Sequence, residues 1–596
     1  MDMRKYALFD GSTSAKRGNG MALKKASQAV VEALAAEGVE YVFGLPGGHS
    51  VTIFYDELGK QEQVKAILAR HETAGAFAAL GYAQLTGKTG VCQGTAGPGF
   101  SHMLVGIHEA MYSRIPLVVI APNAPISQYG KGELQEFPQI ESVVGFAKWW
   151  YRVDRPEKVP WVMQQAFKHA LAPPCGPVFV DIPIDIGDME ADMDDYVPAP
   201  RSTCVAEPQA LAEAAKALVD ASNPVMICGR GVHQSGAHEE VRKLAELLAM
   251  PVLYTNHGKT CIPEDHPLAG GGVGCNRTGV SEALLDESDC WLWVGSQIEE
   301  FAVGKDWPQL PSQRTFINLN IDPAQFGRNW TPDICLLGDA KLTLAQLAEA
   351  CAEDAGERDF ASSEAAKHIA DLKQQWRAQV DALVARSKGP VHFSQFLTEL
   401  NRLMPQDAVV VVGEGANRVW TATELQLTTP GTWVSASDFG CMGYAVGASI
   451  GAAVARPGTN VFCITGDGSF QMQMQEIVVA TQYQLPITYV VFNNNALGWI
   501  KWGQKLGRDE RYYCTEFTAN WNHAEAAQAA GLAGLYVDSA EKCAPAIASA
   551  MQANADGRPA LIEVLVPWDE QTPGFYAHHT GCSTAEAYDT LMSGRC

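Results

Sequence analysis

Two short sequences in this chain can do chemistry together. Gly466-Asp467-Gly468-Ser469 follows the apolar run Val461–Thr465, and Asn494, inside Asn493-Asn494-Asn495, follows the apolar run Ile487–Phe492. Each run reads as a buried strand of a parallel sheet, so both polar ends emerge at the carboxyl edge, where α/β sheets hold ligands. There the Asp467 carboxylate, the Asn494 amide oxygen and the main-chain carbonyl at Ala496 form an all-oxygen set. Hard oxygen donors carrying a single protein charge suit Mg2+, with diphosphate oxygens and water completing the octahedron. A helix expected over Met472–Tyr483 points its N-terminus, with the Gly468 and Ser469 amides, at the same anion. Gly466 and Gly498 complete the two cofactor-facing loops.

Those loops need sheets to carry them, and the chain alternates helical stretches with short apolar strands almost throughout. The first block runs over residues 21–190, with strands such as Leu117-Val118-Val119-Ile120 and Pro177–Pro183. Asp192–Pro208 reads as a linker, rich in Asp and Pro. A central, Rossmann-like block follows over 205–355. The polar helical stretch Ser362–Lys388 then leads to a third block over 390–570, and 571–596 forms a tail able to lie over a pocket. The expected fold is α/β, with three doubly wound parallel-sheet domains. Residues 1–20, rich in Gly, Ser and Lys, read as a flexible tail without a secretory h-region.

Composition excludes other classes. A chain of 596 residues with 47% hydrophobic and 19% charged residues is of ordinary globular type. A net charge of −23 argues against a nucleic-acid partner. No apolar run approaches the ~18 residues of a membrane helix. Fifteen cysteines stand singly with no C-x-x-C pair, which fits reduced thiols and a cytoplasmic location.

The Gly-Asp-Gly and Asn-Asn pair resembles the cofactor signature of thiamine-diphosphate enzymes. The likeness extends over roughly residues 24–570, and the overall look is that of acetolactate synthase large subunits, benzaldehyde lyase and 2-hydroxyacyl-CoA lyases. The resemblance implies a pyrimidine-binding first domain, a diphosphate-binding third domain, thiamine diphosphate and Mg2+. It also implies active sites shared between subunits of a homodimer or homotetramer. His71-Glu72-Thr73-Ala74-Gly75-Ala76 is similar to the family's His-Glu pair, which gives Glu72 the contact with the cofactor's ring nitrogen N1′. Thr95–Phe100 resembles the family's Gly-Pro-Gly turn, and Met442 matches the apolar residue that props the cofactor into its bent form.

Substrate choice rests on further positions. His49, in Phe43–Ser50, stands where benzaldehyde lyase has a histidine and acetolactate synthases a small apolar residue. A neutral imidazole there can relay protons to a substrate oxygen. Gln135 matches a family glutamine aimed at the active site. Val294-Gly295-Ser296-Gln297 lacks the arginine with which acetolactate synthases hold a carboxylate. Gly413-Glu414-Gly415-Ala416-Asn417 resembles 2-hydroxyacyl-CoA lyases and oxalyl-CoA decarboxylases, which brings Gly415 and Asn417 to the cofactor. The Gly229-Arg230-Gly231 turn can hold ADP or FAD in the central domain. The expected function is a lyase, carboligase or decarboxylase making or breaking a carbon–carbon bond beside a carbonyl, on a 2-oxo acid, aldehyde or acyloin. The alternatives are a 2-hydroxyacyl-CoA lyase or oxalyl-CoA decarboxylase acting on an acyl-CoA, and a thiamine-diphosphate-binding protein without turnover.

Overall fold

The computed structural model describes residues 22–304, 314–356, 359–437 and 439–594; the expected tail at 1–20 lies outside them. Three parallel sheets of six strands each organise the chain. Their strands are the continuous apolar runs of the sequence: Val409–Val412 and Pro177–Pro183 are buried along their whole length. Such strands are stable only when helices cover both faces.

The first sheet runs, in spatial order, Lys65–Leu68, Tyr41–Leu45, Gly90–Gly94, Leu117–Asn123, Pro177–Pro183, Trp149–Arg152. The third runs Trp433–Ser435, Val409–Val412, Val461–Gly466, Ile487–Asn493, Ala560–Leu565, Ala533–Val537. Counted along the chain within each sheet, both have the order 2-1-3-4-6-5. The central sheet has the order 3-2-1-4-5-6, the dinucleotide-fold arrangement. Its first strand, Pro224–Cys228, therefore neighbours its fourth, Cys290–Val294.

The helix after the second strand of each outer sheet joins the two domains. Glu72–Thr86 packs on Tyr444–Ala455, and small residues let their backbones meet. A Cβ on Gly81 would stand 2.2 Å from the Ala448 carbonyl oxygen, and one on Gly451 would stand 1.8 Å from that of Ala78. One apolar core consequently runs through both domains, from Phe43 and Phe77 to Tyr444 and Val491.

The central domain is tied to the third by a buried polar knot instead. Lys259 Nζ donates to Glu264 Oε1 at 2.5 Å and to the carbonyls of Ala422 (3.0 Å) and Leu425 (2.8 Å), while Glu264 Oε2 accepts the Leu427 N–H. Every charge in the knot is paired and hydrogen-bonded, the condition for burying one.

Two sequence expectations change here. The segment read as a linker from Asp192 begins inside a strand, Glu190–Met193, which pairs antiparallel with Ala22–Lys25. Four residues are too few to show alternation. The C-terminal tail is helical, as Pro573–Thr580 and Thr584–Ser593. Phe575 packs 4.6 Å from Trp499 and 5.0 Å from Trp502, and Thr584 N donates to Glu282 of the central domain at 2.8 Å. The tail thus lies across the helix Gly498–Gly507. No described helix is long and apolar enough to cross a membrane.

Candidate functional site

At the carboxyl edge of the third sheet, Gly466 pairs with Phe492, which sets Asp467 level with the Asn493–Asn495 loop. The Asp467 carboxylate has the main-chain N–H groups of Gly468 and Asn495 nearby, which favour its charged form. It accepts Asn520 Nδ2 at 3.1 Å. That same nitrogen reaches Asn493 Oδ1 (3.2 Å) and Asn495 Oδ1 (2.9 Å), so one amide laces the loop to the acid. Asn495 is held at φ +54°, a left-handed conformation that asparagine tolerates. Asn494 Oδ1 accepts the Ala496 N–H at 3.1 Å and keeps a second lone pair. Its Nδ2 faces Gly498, where a Cβ would stand only 2.4 Å away.

The first and second strands of this sheet deliver the remaining candidates. Asn417 Nδ2 donates to the Gly413 carbonyl at 2.9 Å, and its Oδ1 lies beside Gly415 and Gly466. Gly415 has φ +129°, a conformation that favours glycine. Ser469 Oγ accepts the Gly443 N–H at 2.9 Å and so docks the Met442 turn onto the Asp467–Ser469 loop. The helix expected at Met472–Tyr483 is different. A single turn, Asp467–Gln471, starts at the acid itself, and a break at Gln473 precedes Met474–Glu476 and Ile477–Gln482. The break lets the Glu476 carboxylate accept the Arg70 N–H, 3.1 Å from each oxygen.

The other candidates gather on the first sheet. Glu72 opens the helix Glu72–Thr86 behind His71, whose Nδ1 accepts the Thr73 N–H at 3.2 Å. The Glu72 side chain is 8% exposed. Its Cγ lies against Gly94 and its Oε1 against Gly99, where a Cβ would approach to 3.1 and 3.0 Å. Gln135, at φ +62°, accepts from Thr95 Oγ1 at 3.3 Å, and Gly97 packs on its backbone. His49 sits in the turn after Tyr41–Leu45, and Gly47 of that turn presses on the Thr95 side chain. The His49 Nδ1 is buried without a hydrogen-bond partner. Thr95 is therefore a local hub: it bonds Gln135, Gly47 of the His49 turn packs on its side chain, and Gly99 lies between it and Glu72 Oε1. The sequence did not single out Thr95 as a hub, nor His102 and Asn520.

The residues fit a divalent cation and a phosphorylated cofactor. Burial pushes the Asp467 carboxyl up to about 6, despite the main-chain and Asn520 donors and nearby His523. It makes no ion pair among the described residues. A buried acid surrounded by oxygen-bearing amides is the donor set a hard cation uses, and the Asp467-Gly468-Ser469 backbone leaves its first-turn amides for an anion.

A cavity of about 880 Å³ opens where the central sheet meets the outer domains, lined among others by Arg114, Arg201, Arg230, Asn320 and Arg456. It stands at the point where the strand order reverses, between the Gly229-Arg230-Gly231 and Gly295-Ser296-Gln297 loops. Gly229 and Gly231 are required there because Gly295 touches them: added Cβ atoms would come within 2.6 and 2.7 Å. Burial holds His233, on the cavity wall, at about 3, so it is neutral.

Comparison with known proteins finds a family match in each of the three domains. Residues 24–142 match the N-terminal TPP binding domain of thiamine pyrophosphate enzymes, 211–347 the central domain and 413–564 the C-terminal TPP binding domain. A probable acetolactate synthase large subunit of Methanococcus aeolicus is 31% identical over 562 residues, covering 91% of this chain and 92% of the relative. The acetolactate synthase isozyme 2 large subunit of Escherichia coli (strain K12) is 31% identical over 565 residues, covering 95% and 99%. The acetolactate synthase large subunit of Corynebacterium glutamicum is 31% identical over 571 residues, covering 94% and 90%. With all three domains matched and the likeness sustained from end to end, the chain belongs to the thiamine pyrophosphate enzyme family.

Proposed function

We propose that this protein is a thiamine-diphosphate- and Mg2+-dependent lyase, carboligase or decarboxylase that makes or breaks the bond beside a carbonyl of a 2-oxo acid or acyloin. The observation that carries the proposal is the grouping of Gln135, the His49 turn and Glu72 near Thr95, in a chain whose third sheet presents the buried Asp467 carboxylate at its carboxyl edge. Asp467, Asn494 Oδ1 and the Ala496 carbonyl would hold Mg2+. The Gly468 and Ser469 amides, with Gly415, Asn417, Gly466 and Gly498, would hold the phosphorylated end, and Met442 would give the cofactor apolar support. Glu72 would share a proton with the ring nitrogen N1′. Thiamine diphosphate, when bound, supplies the electron sink for the cleaved bond. His49 Nδ1, left unpaired inside the protein, and the Gln135 amide handle protons and hydrogen bonds at the substrate oxygen.

In this reading the Glu72 and Asp467 of one active site come from different subunits of a homodimer or homotetramer. The arginine-lined cavity at the central switch point suits a nucleotide such as ADP or FAD, bound as a structural or accessory group.

A second reading is a 2-hydroxyacyl-CoA lyase or oxalyl-CoA decarboxylase, favoured by the Gly413–Asn417 loop and by the absence of arginine in Val294–Gln297. Mass spectrometry of products from 2-oxo acids, acyloins and 2-hydroxyacyl-CoAs separates the two. Acyloin or carboligation products support the first reading, turnover of the thioesters alone transfers the assignment to the second, and cofactor binding without any turnover leaves a binding protein. His49→Ala should lower turnover about tenfold to a hundredfold with cofactor binding intact; wild-type turnover would return His49 to a structural role.

A further inference from the structure

We infer that His102 is the residue that positions Glu72; the inference rests on the proton-sharing role proposed for Glu72. His102 lies one turn into the helix Pro98–Ser113, which begins in the Gly-Pro-Gly turn. Its Nδ1 stands 2.8 Å from Glu72 Oε2. A carboxylate can only accept, so with Glu72 ionised the proton of this bond is on His102 Nδ1, and the imidazole is the donor. The other oxygen, Oε1, lies against Gly99 and is the one left to face a ligand.

The ring is held from two further directions. Its main-chain carbonyl accepts the Thr73 hydroxyl at 2.6 Å, one residue beyond Glu72. Its face stacks on His71, centroids 4.4 Å apart and planes 30° apart. His71 is fixed in turn by capping the Thr73 N–H, and burial, then the neighbouring His102, lower its affinity for a proton. With its Nδ1 engaged by that N–H, His71 serves as a flat support. Without this bond the Glu72 side chain, packed against Gly94 and Gly99, has no side-chain hydrogen bond among the described residues to fix its carboxylate. With it, Glu72 is locked before any ligand arrives, the condition for a rate advantage from preorganisation. His102 touches no reacting atom in this scheme and acts only through Glu72.

The test uses the full-length holoenzyme with three variants. His102→Leu keeps the bulk and removes the donor. His102→Asn places an amide N–H near the Nδ1 position. Glu72→Gln is the control. The rate of deuterium exchange at the cofactor C2, read by proton NMR after acid quench, should fall about tenfold to a hundredfold in His102→Leu and return to within about threefold of wild type in His102→Asn. Affinity for Mg2+ and thiamine diphosphate should change by less than about threefold in both. A crystal structure of the His102→Leu protein without cofactor should show the Glu72 carboxylate in a different rotamer. Wild-type exchange in His102→Leu, an equal fall in the Leu and Asn variants, or an unmoved Glu72 overturns the inference. If Glu72→Gln itself exchanges at the wild-type rate, the underlying role of Glu72 fails instead.

Discussion

The first and third domains share one strand order, 2-1-3-4-6-5, yet present different chemistry at equivalent places. After the first strand comes His49 in one and the Gly415–Asn417 loop in the other. After the second comes Glu72 in one and Met442 in the other, each leading into the helix that packs on its counterpart. After the third comes the Gly97-Pro98-Gly99 turn in one and Asp467 in the other. In the proposed reading one edge holds the acid that meets the cofactor ring, and the other holds a cation and phosphates. The lesson is that the scaffold fixes where ligand-facing loops emerge, and loop residues decide what they bind.

The sharpest way to break this comparison is to remove one duty at a time. Asp467→Ala should abolish Mg2+-dependent cofactor binding, a loss of about a thousandfold or more, because the only carboxylate in the proposed ligand set is gone. Isothermal titration with thiamine diphosphate and Mg2+ reads this directly, and retained affinity would remove the metal role. Glu72→Gln should do the reverse: binding stays within severalfold while C2 deuterium exchange falls about a hundredfold to ten-thousandfold. If both variants lost binding equally, the division of labour between the two edges would be wrong.

The places where the candidate loops emerge were legible in the sequence, for a physical reason. Strands buried on both faces are continuous apolar runs, so Val461–Gly466 and Ile487–Asn493 stand out, and the polar residue that ends each one is the ligand candidate. What the sequence hides is lateral order and long-range contact. Nothing local says that Asn520 bonds Asp467 across 53 positions, because a lone asparagine in a loop carries no periodic signal. His102 was more accessible: three residues past Gly99, on the helix following the Gly-Pro-Gly turn, it falls on the turn that faces Glu72. The helix expected at Met472–Tyr483 failed because its apolar spacing gives no hint that Glu476 turns back to the Arg70 N–H. The pairing of Glu72–Thr86 with Tyr444–Ala455 reads as two Ala- and Gly-rich helices, and only the three-dimensional structure shows that they seek each other.

That seam is the next place to press. Gly451→Ala sets a methyl 1.8 Å from the Ala78 carbonyl oxygen, a backbone atom that cannot swing aside. The two helices must separate, at a cost of about 3 kcal/mol. Denaturant unfolding should show the loss, whereas Gly458→Ala, with nothing within 4 Å of the added carbon, costs only the strain of its positive φ of 80°. Equal losses in the two variants would mean that close helix contact does not hold the outer domains together.

The smallest expected effect, and the one that separates the two edges by pH, belongs to Asp467. Burial raises its carboxyl from the ordinary 3.8 to about 6. A group whose folded-state affinity for a proton is raised makes the native protein bind more protons than the unfolded chain between those values. The stability of the cofactor-free protein should therefore fall as pH rises from about 4 to about 6, by roughly 1.4 kcal/mol per unit and at most about 3 kcal/mol in total. Glu476, raised by burial to about 7, adds to the trend in the same direction. Asp467→Asn removes the first contribution alone, so the variant without cofactor should melt above the wild type at pH 7 and draw level with it near pH 4. Mg2+ competes with the same proton, and the apparent affinity of the wild type for the cation should drop about tenfold for each unit below about 6. Melting curves for the two proteins across this range, taken with and without Mg2+ and thiamine diphosphate, decide the matter. Parallel curves without cofactor would show that the acid is solvated and carries no penalty for a cation to relieve. A gap that closes when Mg2+ and the cofactor are added would place the cation on Asp467, because binding there removes the cost that the asparagine variant never had.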